Sequence, residues 1–245
     1  HLILFNNFFS VDQITNLSVL EMNILVHFGS LLSVCVYYYK WVRRLIFSWK
    51  FLIRTDIDRN ANLLMNLIIS SIPIFIVGYY FAKYFDFQST LTIKVVGYSS
   101  IIFGIILFFT DKFCLRIRNL ETLTRSASLF IGFSQCIALI PGVSRSGAIL
   151  SFMRFNGFTR EHSVFYSNMM SIPVILGALS YLLFSNYENI LFDNFINFFS
   201  LSLVLSSFLF SLIFIHFFVS WVRKFSLAIF VVYRFIFGLA IIFLI

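Results

Sequence analysis

Charge is what this 245-residue chain has least of: Lys and Arg number 18, Asp and Glu 10, together 11% of the residues. Soluble domains carry about 25%. With 60% of the residues hydrophobic, the scarcity excludes a soluble fold, which would have no polar surface to cover so much apolar area. A multi-span α-helical protein of the lipid bilayer remains. Cysteine is equally scarce. Cys35, Cys114 and Cys136 lie among apolar neighbours, without paired or metal-ligand spacing, and read as small core or lipid-facing residues. Proline occurs three times: Pro73 and Pro173 fall inside apolar segments and are expected to kink them, whereas Pro141 interrupts one. No cleavable signal peptide is visible. The chain begins with His1 rather than Met, so the sequence is expected to be incomplete at its N-terminus.

The formal charge is +8, and its placement orients the chain rather than recruiting nucleic acid. Six apolar segments reach the roughly 20 residues a crossing needs: 22–39, 63–82, 93–109, 163–183, 195–219 and 225–245. The loop after the first carries Lys40, Arg43, Arg44, Lys50, Arg54 and Arg59. The loop after the third carries Lys112, Arg116, Arg118 and Arg125, and the turn after the fifth Arg223 and Lys224. The alternate connections are poorer: Lys83 and Lys94 in one, and no Lys or Arg over residues 186–194 in the other. The positive-inside rule places the rich loops in the cytoplasm and both termini outside.

Residues 126–155 break this pattern. They are apolar, interrupted at Pro141-Gly142, then apolar again to Arg154. A single crossing there would invert the later spans and put Arg223 and Lys224 outside. Entry and return on one side keeps every loop in agreement, so the segment reads as a re-entrant helical hairpin with PGVSRSG at its tip. Irregular backbone at that depth is tolerated when it is buried in protein or lines a cavity. Pro141 and Gly142 end the first arm, and Ser144 is a good N-cap for the second. The N–H groups of Arg145, Ser146 and Gly147 are then expected to be open and to favour an anion, helped by the helix dipole. Arg145 adds a planar fork suited to phosphate. Ser144 and Ser146 add hydroxyls, and Gly147 permits close approach. The bland alternative is that Arg145 caps a neighbouring helix or lines a water cavity. Buried intramembrane charge costs about 2.5–3.5 kcal/mol on insertion scales and is functional by default.

The stretches QCIALIPGVSRSGAILS and FTREHSVFYSNMMSIPVILGA resemble the bacitracin-resistance family of undecaprenyl-diphosphate phosphatases, whose second signature is Pro-Gly-x-Ser-Arg-Ser-Gly-x-Thr. HLIL resembles the tail of the family's first signature, which ends Ser-Ser-x-Gly-His; MNILVHFGSLLSV resembles its first full span and FVVYRFIFG its last. The resemblance implies an all-α fold of six transmembrane helices plus re-entrant hairpins in two inverted repeats. Residues 1–125 would form the first repeat, its hairpin truncated, and 126–245 the second, all within one polytopic domain whose hairpin tips meet near the midplane. It implies hydrolysis of undecaprenyl diphosphate in the bacterial plasma membrane, recycling the lipid carrier for cell-wall synthesis. The expected partners are the prenyl diphosphate lipid and the bilayer, with no nucleic acid.

On that resemblance Arg145 matches the phosphate-binding arginine, Ser144 and Ser146 its flanking serines, and His1 a proposed general acid/base or nucleophile helper. The threonine position holds Ile149, one turn from Arg145 on the same face. Loss of such a hydroxyl donor would cost on the order of 2–4 kcal/mol of transition-state stabilisation. The family also implies a divalent cation, Mg or Ca, held by glutamates upstream of His1; the chain itself offers no replacement pair.

Other polar residues in apolar segments stay open between two readings. Asn23 and His27 share one helix face and either border the cavity or serve hydrogen-bonded packing. Arg234 cannot easily snorkel from the last span and faces the bundle, structurally or beside the head group. Two rivals to the phosphatase are a non-hydrolytic prenyl-phosphate transporter or flippase, since broken helices at the midplane are a transporter plan, and an inactive truncated homologue.

Overall fold

The computed structural model describes residues 19–51, 58–84, 90–185 and 197–243. The described residues contain helices and no named strand, as an all-α integral membrane protein requires. In chain order they are α1 (Val19–Tyr37), α2 (Tyr39–Ser48), α3 (Arg59–Tyr84), α4 (Thr90–Phe113), α5 (Arg125–Cys136), α6 (Arg145–Phe155), α7 (Arg160–Ser185), α8 (Phe198–Lys224) and α9 (Ala228–Phe243). Among the described residues a helix covers most of each of the six segments expected to cross. Arg59–Tyr84, Ile93–Phe113, Arg160–Phe184 and Phe198–Lys224 are long and apolar enough to do so on their own. Helix α1 has 19 residues and passes the same test only together with α2, as a broken pair. Helix α9, with 16 residues, rises about 24 Å and is the shortest of the six. Pro73 and Pro173 lie inside α3 and α7, which run on through them.

The chain groups into two compact units: residues 1–39 with 171–217, and residues 40–170 with 218–245. In the first, Ile24 and Leu31 of α1 and Leu179 of α7 form the centre of an apolar cluster joined by Ile172, Ile175 and Leu182. The Ser207 hydroxyl donates to the Val26 carbonyl at 2.7 Å.

The second unit holds the interrupted segment, and it is a hairpin. A 3-10 turn (Ile137–Leu139) follows α5, and α6 begins at Arg145. The two feet meet: the N–H groups of Ile117 and Arg118 donate to the Gly157 carbonyl at 3.1 and 3.0 Å, and Thr159 N–H donates to the Arg118 carbonyl at 3.2 Å. A chain that returns to the level it left has not crossed.

Polar contacts hold the first arm. Gln135 Nε2 donates to the Ser70 carbonyl at 2.8 Å. The Tyr166 hydroxyl lies 2.5 Å from Ser70 Oγ and donates to the Asn66 carbonyl at 2.9 Å. Such bonds replace the hydrophobic force that lipid cannot supply between helices. On the other side α4 and α9 pack through glycines, a Cβ at Gly238 falling 2.8 Å from the Gly97 carbonyl oxygen.

An ion cluster centred on Asp111 holds the foot of the hairpin. Asp111 is only 4% exposed and takes a bidentate pair from Arg160, Nε to Oδ1 at 2.6 Å and Nη2 to Oδ2 at 2.7 Å. The Leu227 N–H adds a third bond at 3.1 Å. Arg154, fully buried at the end of α6, lies 3.4 Å from the same carboxylate. Its other nitrogens donate to the carbonyls of Leu115, Cys114 and Phe158. One carboxylate thus ties the ends of α4 and α6 to the starts of α7 and α9. Removing one partner of such a buried pair costs about 3–5 kcal/mol. Asp111→Ala is therefore expected to lower the melting temperature in detergent sharply, while removal of the exposed Glu161–Arg223 pair at 2.9 Å leaves it nearly unchanged; equal effects would contradict the assignment.

Candidate functional site

The hairpin tip is built by chain reversal and then locked from outside. Gly142 adopts φ +89°, a left-handed conformation that disfavours any residue with a Cβ. The space is closed as well: a Cβ there would collide with Ser99 Oγ and sit 2.5 Å from the Val96 carbonyl oxygen. Ser99 on α4 donates to the Pro141 carbonyl at 2.6 Å, and Arg234 on α9 donates through Nη2 to the Gly142 carbonyl at 3.0 Å. These two carbonyls, freed by the break, are satisfied by side chains from neighbouring helices, as a tip away from water demands.

Helix α6 then starts as its residues require. Ser144 has extended backbone, φ −70° and ψ 127°, and its Oγ accepts the Gly147 N–H at 3.2 Å. The first helical bond runs from Ala148 N–H to the Ser144 carbonyl at 2.9 Å. This differs in one respect from the expectation of three open donors: Gly147 N–H is capped, and those of Arg145 and Ser146 are left without an acceptor among the described residues. Ser144 Oγ is also 3.0 Å from Ser146 Oγ, so the two hydroxyls form one linked pair.

Two guanidinium groups flank this helix start. Arg145 is half-buried, and among the described residues no hydrogen bond or ion pair engages its side chain. Arg234 is 8% exposed and faces the bundle. Besides Gly142 it donates through Nε to the Ser100 carbonyl at 3.3 Å, while Ser100 Oγ donates back to the Arg234 carbonyl at 3.4 Å. Its Nη1 would lie 3.0 Å from a Cβ at Gly147, which sets that nitrogen against the first turn of α6. Neither arginine forms an ion pair with a carboxylate among the described residues, in contrast to Arg154 and Arg160. The tip therefore carries two guanidinium charges, a helix N-terminus and two N–H groups without an acceptor among the described residues, an arrangement chemically suited to an anion.

Ile149, one turn beyond Arg145 in α6, is completely buried, so the side chain at the threonine position is enclosed by protein. Asn23 is half-buried and His27 exposed, both on α1 in the first unit. His1 lies outside the described residues. For a divalent cation, no group of three or more His, Cys, Asp or Glu side chains stands together among the described residues. Asp111 does not serve, because two arginines and a backbone N–H already occupy its oxygens. The described residues thus do not by themselves fit a metal ion.

Four contributors escaped the sequence. Ser99 and Ser100 were legible only as a polar pair in an apolar helix. Asp111 precedes Lys112 at a helix end, the usual look of an interfacial charge. Arg154 marked only the end of an apolar run.

The fold and the site together define a polytopic membrane protein that presents a cationic helix N-terminus on an intramembrane hairpin. The chain belongs to the bacitracin resistance protein BacA family, whose model matches residues 1–240. Curated relatives named undecaprenyl-diphosphatase include that of Aliivibrio salmonicida, 32% identical over 89% of this chain and 81% of the relative. That of Pelagibacter ubique is 36% identical over 90% and 81%, and that of Alteromonas mediterranea 30% identical over 89% and 82%.

Gly142→Ala adds a Cβ where two backbone atoms of α4 cannot yield and where φ is positive. Such strain costs on the order of 1–3 kcal/mol before the clash is counted, so the variant is expected to be recovered poorly and to melt early in detergent. Wild-type melting would show that the tip is not locked as described.

Proposed function

We propose that the chain hydrolyses undecaprenyl diphosphate to undecaprenyl phosphate and inorganic phosphate. The observation that carries this reading is the pair of guanidinium groups, Arg145 and Arg234, without carboxylate partners at the start of α6. A terminal diphosphate supplies the negative charge they lack. Its lipid tail suits a protein embedded in the bilayer, and the family's curated relatives are named for this reaction.

In this reading Arg145 grips the phosphate oxygens bidentately, and the N–H groups of Arg145 and Ser146 hold the charge that builds as the P–O–P bridge breaks. Water, or a nucleophile on the first hairpin, attacks the terminal phosphorus, and the bridging oxygen leaves with the lipid phosphate. Ser144 and Ser146 orient one another and the helix start. Gly147, lacking a side chain, lets the Arg234 guanidinium approach the first turn of α6. His1 is assigned by resemblance as a general acid/base or nucleophile helper. By the same resemblance the reaction would use a divalent cation. We place the protein in the bacterial plasma membrane with both termini outside, and divide it into inverted repeats at residues 125/126.

Phosphate release from a prenyl diphosphate by membranes carrying the full-length protein tests the reading. Arg145→Ala is expected to lower the rate about 10²–10³-fold. Arg145→Lys should recover only part of it, because an ammonium keeps the charge and loses the fork. Wild-type rates in Arg145→Ala would overturn the assignment, and movement of a prenyl phosphate between leaflets without phosphate release would favour a flippase. Ile149→Thr is expected to raise the rate about 10-fold or more by restoring a hydroxyl near the phosphate, at some cost in melting temperature because the side chain is buried. An unchanged rate would make position 149 purely a packing site.

A further inference from the structure

Helix α2 carries a surface that the phosphatase reading does not use. From Met22 to Thr55 the sequence contains no Asp or Glu, yet it holds Lys40, Arg43, Arg44, Lys50 and Arg54. Positions 40, 43 and 47 fall on one face of α2, Lys50 follows in the 3-10 turn Trp49–Phe51, and Lys40, Arg43, Phe47 and Lys50 are all exposed. The opposite face is committed: Leu45 and Ser48 are buried, and the Trp41 ring meets Phe165 edge-on at 5.0 Å. Among the described residues Arg43, Arg44 and Lys50 enter no ion pair. Instead the Arg43 guanidinium lies over the Phe47 ring at 5.9 Å and that of Arg44 over Trp41 at 5.4 Å. Ile46, Phe47 and Trp49 are each more than half exposed.

We propose that this face of α2 binds the phosphate head groups of anionic phospholipids at the surface of the bilayer. The helix begins two residues after α1, an apolar span, ends, so chain length sets it at the membrane boundary. Its charges cannot lie in hydrocarbon without large cost. Bases and aromatic rings interleaved on one exposed face suit that boundary, where rings enter the acyl edge and basic heads reach phosphates. The inference rests on the membrane embedding alone and stands or falls independently of the phosphatase reading.

The three tryptophans make the test direct. In the double variant Trp41→Phe/Trp221→Phe, Trp49 is the single emitter. The protein is reconstituted into phosphatidylcholine vesicles holding a minor fraction of phosphatidylglycerol, with bromine on the acyl chains of one lipid or the other. Brominated phosphatidylglycerol should quench Trp49 roughly threefold more per lipid than brominated phosphatidylcholine. The preference should vanish in Lys40→Gln/Arg43→Gln/Arg44→Gln/Lys50→Gln, whose exposed positions leave the fold intact, and at about 1 M salt. The difference signal between the natural chain and Trp49→Phe gives the same reading if the double variant fails to fold. Equal quenching by the two lipids, or a preference that survives the four substitutions, would overturn the proposal.

Discussion

A buried and a half-buried arginine share one carboxylate at the foot of the hairpin, and the rest of the second unit depends on that arrangement. Asp111 accepts from Arg160 through both oxygens, while Arg154 stands beside it with no exposed surface at all. A guanidinium with that burial persists only if its charge is met and its donors are used. Carbonyls from the loop after α4 and from Phe158 take the remaining donors. Because those carbonyls belong to the segments entering and leaving the hairpin, charge neutralisation and chain reversal are the same event. The foot closes because Arg154 requires it.

The tip faces the opposite problem. Its breaker frees backbone carbonyls in a place where water cannot be relied upon. Ser99 and Arg234, from helices on either side of the hairpin in sequence, supply the donors. Once the carbonyls are answered, the positive side of the tip is left without a counter-charge: Arg145, the Arg234 nitrogen near Gly147 and the first N–H groups of α6. The contrast between foot and tip is chemical. Arginines at the foot have a carboxylate and act as structure, whereas those at the tip have none among the described residues.

Much of this was legible along the chain. Among the described residues a helix covers most of each of the six apolar segments, and the alternation of basic loops called for a segment that enters and returns. Pro-Gly followed by Ser three residues before Gly147 announced a capped helix start, and Ser144 does cap it. The expectation of three open N–H groups overshot by one, because the hydroxyl that makes Ser144 a cap consumes the third donor. The clamp residues were not legible, since each acts on a partner far away in sequence: Asp111 lies 43 positions from Arg154, and Arg234 lies 92 from Gly142. In one dimension a serine pair in an apolar helix or an aspartate beside a lysine looks like an ordinary helix face or helix end.

Composition and periodicity thus determined the class, the spans and the place of the hairpin, because burial in lipid acts on each residue through its own side chain and leaves a local trace. The tertiary structure alone decided which cations are neutralised and which remain open. That depends on whether a carboxylate or a carbonyl from a distant helix comes within hydrogen-bond reach, and hydrogen bonds are made at about 3 Å in space whatever the separation along the chain.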